Sequence, residues 1–221
     1  DGAGKGAAND LFAGIAYDNA GGLVQHVEIE NVMAATLDGG QHRALVAHVR
    51  NSAVVLNVDD VNIHHFGKSG TYFTAFDYNN IYTGTLTVHM TDSDVTGAGA
   101  TTALAQNGIQ IEDGATGTIS GNRVSKIGWT GSGWTATAIA DVFAGGVAIS
   151  GNRIWEAQSG IAVWGDNSAS VSDNDVQANN LVGPNPDSGI LFQDVNSVTL
   201  GAGNTVDGTG HAWGVYLYNV T

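Results

Sequence analysis

At 221 residues with a formal net charge of −14, the chain is too acidic to offer the positive field that a nucleic acid requires. Every Lys and Arg lies at or before Arg153, so Glu156, Asp166, Asp173, Asp175, Asp187, Asp194 and Asp207 are unbalanced, and a bare polyanionic glycan would be repelled unless cations mediated the contact. No apolar run approaches the ~18 to 20 residues needed to span a bilayer, which excludes insertion by a helix. The chain has no cysteine, so the fold needs no disulfide and the redox compartment stays open.

Taken in order, short apolar strands alternate with Gly/Asn/Asp turns and no helical period appears. Gly14-Ile15-Ala16-Tyr17, Ala44-Leu45-Val46-Ala47 and Phe73-Thr74-Ala75-Phe76 read as one strand slot of the N-terminal half. Val27-Glu28-Ile29, Val61-Asn62-Ile63 and Val88-His89-Met90 read as a second. The pattern sharpens toward the C-terminus. Gly108-Ile109-Gln110-Ile111, Gly160-Ile161-Ala162-Val163, Gly189-Ile190-Leu191-Phe192 and Gly214-Val215-Tyr216-Leu217 are one strand written four times. Ile119-Ser120-Gly121-Asn122-Arg123-Val124, Ile149-Ser150-Gly151-Asn152-Arg153-Ile154 and Val171-Ser172-Asp173-Asn174-Asp175-Val176 recur between them, with a fourth Asn at 204. A period of about 22 to 30 residues built of strands and turns predicts a β-solenoid. The expectation is a single domain over 1–221, all-β, with about seven to eight coils, excised from a longer protein. Insertions at 38–42, 97–106, 128–137 and 179–188 vary the coil length and should emerge on the surface.

Strand parity assigns Ile109, Ile111, Ile161, Val163, Ile190, Phe192, Val215 and Leu217 to the core, stacked as aliphatic ladders. Asn122, Asn152, Asn174 and Asn204 are expected to stack in the turns, bonded through their amides, since Asn tolerates the left-handed conformation such a turn requires.

The Gly-Ile-x-aliphatic strand followed by Ser-Gly-Asn-Arg-Val/Ile resembles the right-handed parallel β-helix repeat of the pectin-lyase-like superfamily. The resemblance is strongest from Asn107 to Thr221 and implies a right-handed parallel β-helix. It does not choose an activity, because that superfamily includes lyases, glycosidases, epimerases, tailspikes and adhesins. Asp59-Asp60 stands without the other blocks of the galacturonan hydrolases, and Gly210-His211-Ala212 breaks their His motif. The epimerase signature is absent. Of the basic residues a lyase of this kind would use, Arg123 and Arg153 occupy one slot of the repeat and read as turn or surface residues, as against a unique base. Lys126 is the third candidate.

A second register consists of Asp18, Asp77, Glu112, Asp113, Asp141, Asp166 and Asp194, each just after a strand of the first slot. Coils stack at ~4.8 Å, so their carboxylates would lie one or two coils apart, a spacing suited to glycoside hydrolysis by Glu112 and Asp141 or to Ca²⁺ held by Asp113, Asp166 and Asp194. The simpler account is that these acids cap turns. Trp164, Tyr216 and Tyr218 should face outward with Gln110 and Gln193, offering rings to sugars and amides to hydroxyls. Trp129 and Trp134 lie in a Gly-rich insertion that either overhangs this face or packs beneath it. His64 falls in the turn slot of the later Asn residues, and His64 and His65 should point to opposite sides of a strand and so not share a metal. Zinc spacing, a phosphate loop and a Gly-x-Ser-x-Gly elbow are all absent from the sequence, which argues against a metalloenzyme, a nucleotide enzyme and a serine hydrolase.

The leading expectation is an extracellular or cell-surface module of a larger bacterial protein. It would contact a polysaccharide or surface glycan through a strip formed by Glu112, Asp141, Trp164, Gln193, Tyr216 and Tyr218, with further coils or domains of the same protein as neighbours. The alternatives are a glycoside hydrolase or polysaccharide lyase using carboxylates of that face, and a spacer or self-association domain with no ligand.

Overall fold

A computed structural model of the chain describes residues 13–33, 41–75, 84–131, 133–177 and 188–221. Its 22 strands form three parallel sheets, one of eight strands and two of seven, and the described residues contain no α-helix. Each coil gives one strand to each sheet. The first sheet runs through Ala13–Asp18, Arg43–His48, Ser69–Thr74, Asn107–Glu112, Thr137–Val142, Ser159–Trp164, Ser188–Gln193 and Trp213–Tyr218. This is the parallel β-solenoid that the repeat predicts.

In-register pairing turns the sequence repeat into ladders. Ile109, Ile139, Ile161 and Ile190 stack in one, and all four are fully buried. A neighbouring ladder runs Phe73, Ile111, Asp141, Val163, Phe192. The second sheet contributes Val58, Met90, Ile119, Ile149 and Val171, and the third Ile63, Val95, Val124, Ile154 and Val176. Each such aliphatic side chain contributes roughly 1.5 to 3 kcal/mol by leaving water. The glycine that opens the repeated strand has a packing cause. A Cβ on Gly160 would lie 2.3 Å from the Gly189 carbonyl oxygen and 2.7 Å from the Val176 side chain, so no larger residue fits without moving the next coil.

Val215 and Leu217 depart from the expected core, at 40% and 52% exposure. Their strand, Trp213–Tyr218, pairs with Ser188–Gln193 on one side and with no described strand on the other, so no described coil is stacked over their side chains. Phe73-Thr74-Ala75-Phe76 also sits differently, because the strand is Ser69–Thr74 and the slot falls three positions earlier, on Gly70-Thr71-Tyr72-Phe73. Phe76, Asp77 and Asp187 lie outside the described residues, as do most of the insertions at 38–42 and 179–188. The second strand slot resolves into two sheets. Val88 to Met90 belong to one and Ile29 and Ile63 to the other, and Ile119 to Val124 is the corner joining them.

That corner carries the asparagine ladder. The Oδ1 of Asn152 accepts from the backbone N–H and the Nδ2 of Asn122, both at 3.0 Å, while its own Nδ2 donates to the Ile119 carbonyl at 2.9 Å and to Asn174 Oδ1 at 2.9 Å. Asn174 repeats the arrangement onto Asn204, and Asn122 Oδ1 extends it by accepting from the Ser93 N–H at 3.1 Å. The left-handed residue of the turn is the one before each asparagine: Gly121, Gly151, Asp173 and Gly203 have φ of 70°, 66°, 57° and 78°. The asparagines are thus selected for hydrogen bonding, and the left-handed step falls to their neighbours. His64 is not in this slot. Val61 and Ser93 are, linked by the Val61 N–H donating to Ser93 Oγ at 3.1 Å, and His64 lies within the strand Asn62–Phe66.

Replacing Asn152 by Ala leaves the Asn122 N–H, the Asn122 amide and the Ile119 carbonyl without their partner. The expected cost is about 1 to 3 kcal/mol, read as a lower midpoint in thermal or urea unfolding. An unchanged midpoint would show that the ladder does not stabilise the corner.

Candidate functional site

The candidate site is the outer face of the first sheet. Register places Thr74, Glu112, Val142, Trp164, Gln193 and Tyr218 in one row along the stack, with Gln110, Ala140, Ala162, Leu191 and Tyr216 in the row beside it. Small side chains at Ala140 and Ala162 leave a depression, and the insertion before Thr137–Val142 builds one wall through Gly133, Trp134 and Thr135. The resulting groove has a volume of about 440 Å³ and also takes in Lys68, Gln110, Glu112, Trp164 and Gln193. A second depression, of about 360 Å³, continues on the far side of Trp134 toward Gln41 and Leu104.

The tryptophans of the insertion divide the two expectations between them. Trp129 is half-buried and packs against the core cluster, whereas Trp134 is 69% exposed. Trp164 is exposed across the groove, with Phe143 at 5.9 Å between ring centroids. Tyr216 and Tyr218 lie farther along the rows, beyond the groove, where Trp213 stacks on Tyr216 at 5.2 Å.

At the opposite end the polar groups are linked. Asn107 Nδ2 donates to Gln110 Oε1 at 2.9 Å, and Gln110 Nε2 donates to Glu112 Oε2 at 2.6 Å. The Tyr72 hydroxyl is hydrogen-bonded to the same carboxylate, and burial together with that charge pushes its pKa well up. The Arg43 guanidinium sits 3.8 Å above the Tyr72 ring. Lys68 donates to the Ala105 carbonyl at 2.7 Å. Burial lowers its pKa and Arg43 adds to the effect, against the pull of Glu112. Asp113 is raised to about 6, by burial first and then by Glu112. The groove of a very acidic protein therefore has one cation, Lys68, at this end, with Arg43 close by over the Tyr72 ring. Lys68 precedes a strand and Tyr72 shares its outward parity, but neither belongs to a repeated motif, and the repeat marks neither of them nor Arg43.

Asp141 is not on this face. It occupies the ladder position of Ile111 and Val163 and is fully buried. Asp166 is buried as well, in the turn slot that the next coil fills with Val195. The expected acid/base pair of Glu112 and Asp141 is therefore split between the outside and the inside of the solenoid. The calcium set is not assembled either. Asp113 and Asp194 hold the left-handed turn position, at φ of 51° and 56°, three coils apart and hence about 14 Å. Asp166 faces inward. Asp194 instead accepts from Asn219 Nδ2 at 2.7 Å, which lowers its pKa, so capping describes Asp113 and Asp194 better than chelation.

Asp141 and Asp166 interact inside the coil. Burial raises both pKa values, and the second carboxyl raises that of Asp141 further. The folded state thus favours the protonated acids relative to an unfolded value near 3.9. Their contribution to stability is full below about pH 4 and is lost as the pH rises from there past neutrality. Wild-type stability should fall between pH 5 and pH 9. Asp141→Val should flatten that dependence and raise stability at pH 8 by about 1 to 4 kcal/mol, measured by urea unfolding across the pH series. A wild type insensitive to pH, or a variant weaker at pH 8, would contradict the placement of this pair.

None of the curated proteins compared and none of the solved structures compared matches the chain. Residues 44–220 do match the family model described as the right handed beta helix region. Together with three parallel sheets stacked coil on coil, that match makes the chain a member of the right-handed β-helix family.

Proposed function

We propose that the chain binds carbohydrate in the groove on the outer face of the first sheet, as a module of an extracellular or cell-surface protein. One observation carries this reading: two exposed tryptophans, Trp134 and Trp164, border a shallow floor of Ala140 and Ala162 beside hydrogen-bonding groups of Gln110, Glu112 and Gln193. A pyranose ring offers an apolar C–H face to an indole and hydroxyls to amides and carboxylates, so the groove matches both sides of a sugar. Its length along the stack suits a linear chain crossing several strands. Lys68 and Arg43 near one end add a contact for an occasional uronate or other acidic group, while the protein's overall charge disfavours a uniformly anionic polymer. A cleavage reaction on this face would need a partner for Glu112 other than Asp141, so binding is the reading the geometry supports.

Wild-type protein should bind a subset of neutral or sparsely acidic oligosaccharides on a glycan array. Trp164→Ala should weaken that binding roughly 10-fold with the fold intact by circular dichroism, as expected for losing a central aromatic anchor. Glu112→Gln, which keeps the hydrogen-bonding shape, should have a smaller effect. Undiminished binding by Trp164→Ala, or no binding to any neutral or acidic glycan, would remove this groove as the site. Release of shortened products by the wild type but not by Glu112→Gln would favour the enzymatic alternative.

A further inference from the structure

The third sheet carries a cluster that strand parity argues against. His64 and His65 are consecutive, yet their Nδ1 atoms lie 2.8 Å apart with the rings edge-on at 4.8 Å between centroids. The reason is a left-handed residue within the strand: His65 has φ of 52°, which interrupts the alternation and turns both rings to the same side. The left-handed step recurs in this sheet, for Asn31, Lys126 and Glu156 carry the same conformation in other coils at φ of 57°, 56° and 51°. Only at His65 does it bring two imidazoles together.

A carboxylate completes the group. Glu30 is the register partner of His64 in the preceding coil, and one ligand atom from each of Glu30, His64 and His65 lies within 4.8 Å of the others. Among the described residues this is the grouping of three His, Asp or Glu side chains with convergent ligand atoms. A second carboxylate orients it. His64 Nε2 is 2.9 Å from Glu28 Oε1, so the ring proton sits on Nε2 and is donated to that carboxylate. That fixes the tautomer in which Nδ1 of His64 is unprotonated and turns its lone pair to the cluster, where it accepts from His65 Nδ1, the arrangement by which metal-binding imidazoles are commonly held. The Nδ1···Nδ1 contact is then a hydrogen bond with one proton between two ligand atoms, and a cation can replace that proton.

We propose that Glu30, His64 and His65 bind one divalent transition-metal ion of the Zn²⁺ class on the outer face of the third sheet, on a different sheet from the glycan groove. Two imidazoles and one carboxylate suit Zn²⁺, Co²⁺ or Ni²⁺ and are too nitrogen-rich for Ca²⁺. Metal–nitrogen bonds of about 2.0 to 2.1 Å in a tetrahedral site set the nitrogens roughly 3.4 Å apart, so the two rings need separate by only about half an ångström. Three protein ligands leave the fourth position to water or to a donor from another molecule.

The test uses chelator-stripped protein titrated with Zn²⁺ by calorimetry and with Co²⁺ by visible absorption. The wild type should take up one equivalent of Zn²⁺ and give the intense d–d bands of a tetrahedral Co²⁺ site. His65→Ala should lose more than about 10-fold in affinity, and Glu28→Gln, which meets His64 at the ring nitrogen turned away from the cluster, about 10- to 100-fold. His89→Ala, in the second sheet, should bind as the wild type does. Glu28 is largely exposed, so its variant keeps the test open even if a histidine substitution disturbs the strand. Absence of a saturable site at up to about 1 mM metal, a range that excludes all but the weakest binding, would overturn the proposal. So would affinity unchanged in both Glu28→Gln and His65→Ala.

Discussion

The constraint on which the structure depends is the parallel, in-register hydrogen bonding of each coil to the next. It places every residue directly over its counterpart one coil away, so each position in the repeat must accept its own kind as a neighbour. The isoleucine ladder of the first sheet satisfies this by stacking identical apolar shapes. The asparagine ladder does so with a side chain that both donates and accepts, which lets it bond the residues above and below at once. The glycine slot meets it by having no side chain, where the next backbone comes too close for one.

The same register builds the surface. Because outward residues also form rows, a groove needs only a run of small residues in one row and a wall beside it. Ala140 and Ala162 provide the floor, and the insertion ending near Thr137 provides the wall. The inside obeys a stricter rule, and Asp141 and Asp166 break it together. Each takes a position that neighbouring coils give to aliphatic residues, and the two adjoin, so burial suppresses the charge on both and the Asp166 carboxyl suppresses that of Asp141 further. On the third sheet a left-handed residue reorients one side chain, and at His65 this brings two imidazoles beside Glu30 of the preceding coil.

Much of the fold was legible because the repeat states it several times over. Ile109, Ile111, Ile161, Val163, Ile190 and Phe192 are buried as strand parity requires, and the four asparagines stack. The errors arose where residues were matched by type and not by position. Grouping Asp141 with Glu112 as an acid near a strand end fails because aligning Ala138-Ile139-Ala140-Asp141 with Gly108-Ile109-Gln110-Ile111 puts it in the core ladder. Parity misplaced His65 because it assumes an uninterrupted strand, and a left-handed step at a non-glycine residue leaves no mark in the sequence. Lys68, Tyr72 and Arg43 leave no signal for a related reason: residues that occur once do not repeat, and a pattern of repeats is blind to them.

A crystal structure with a bound oligosaccharide would test most directly whether the stacked rows of the first sheet form one functional surface. The account predicts a sugar ring against the Trp164 indole, hydroxyls on Gln110, Glu112 or Gln193, and the chain running along the stack, across the strands. A glycan seated on the second or third sheet, or at a corner away from Trp134 and Trp164, would contradict it.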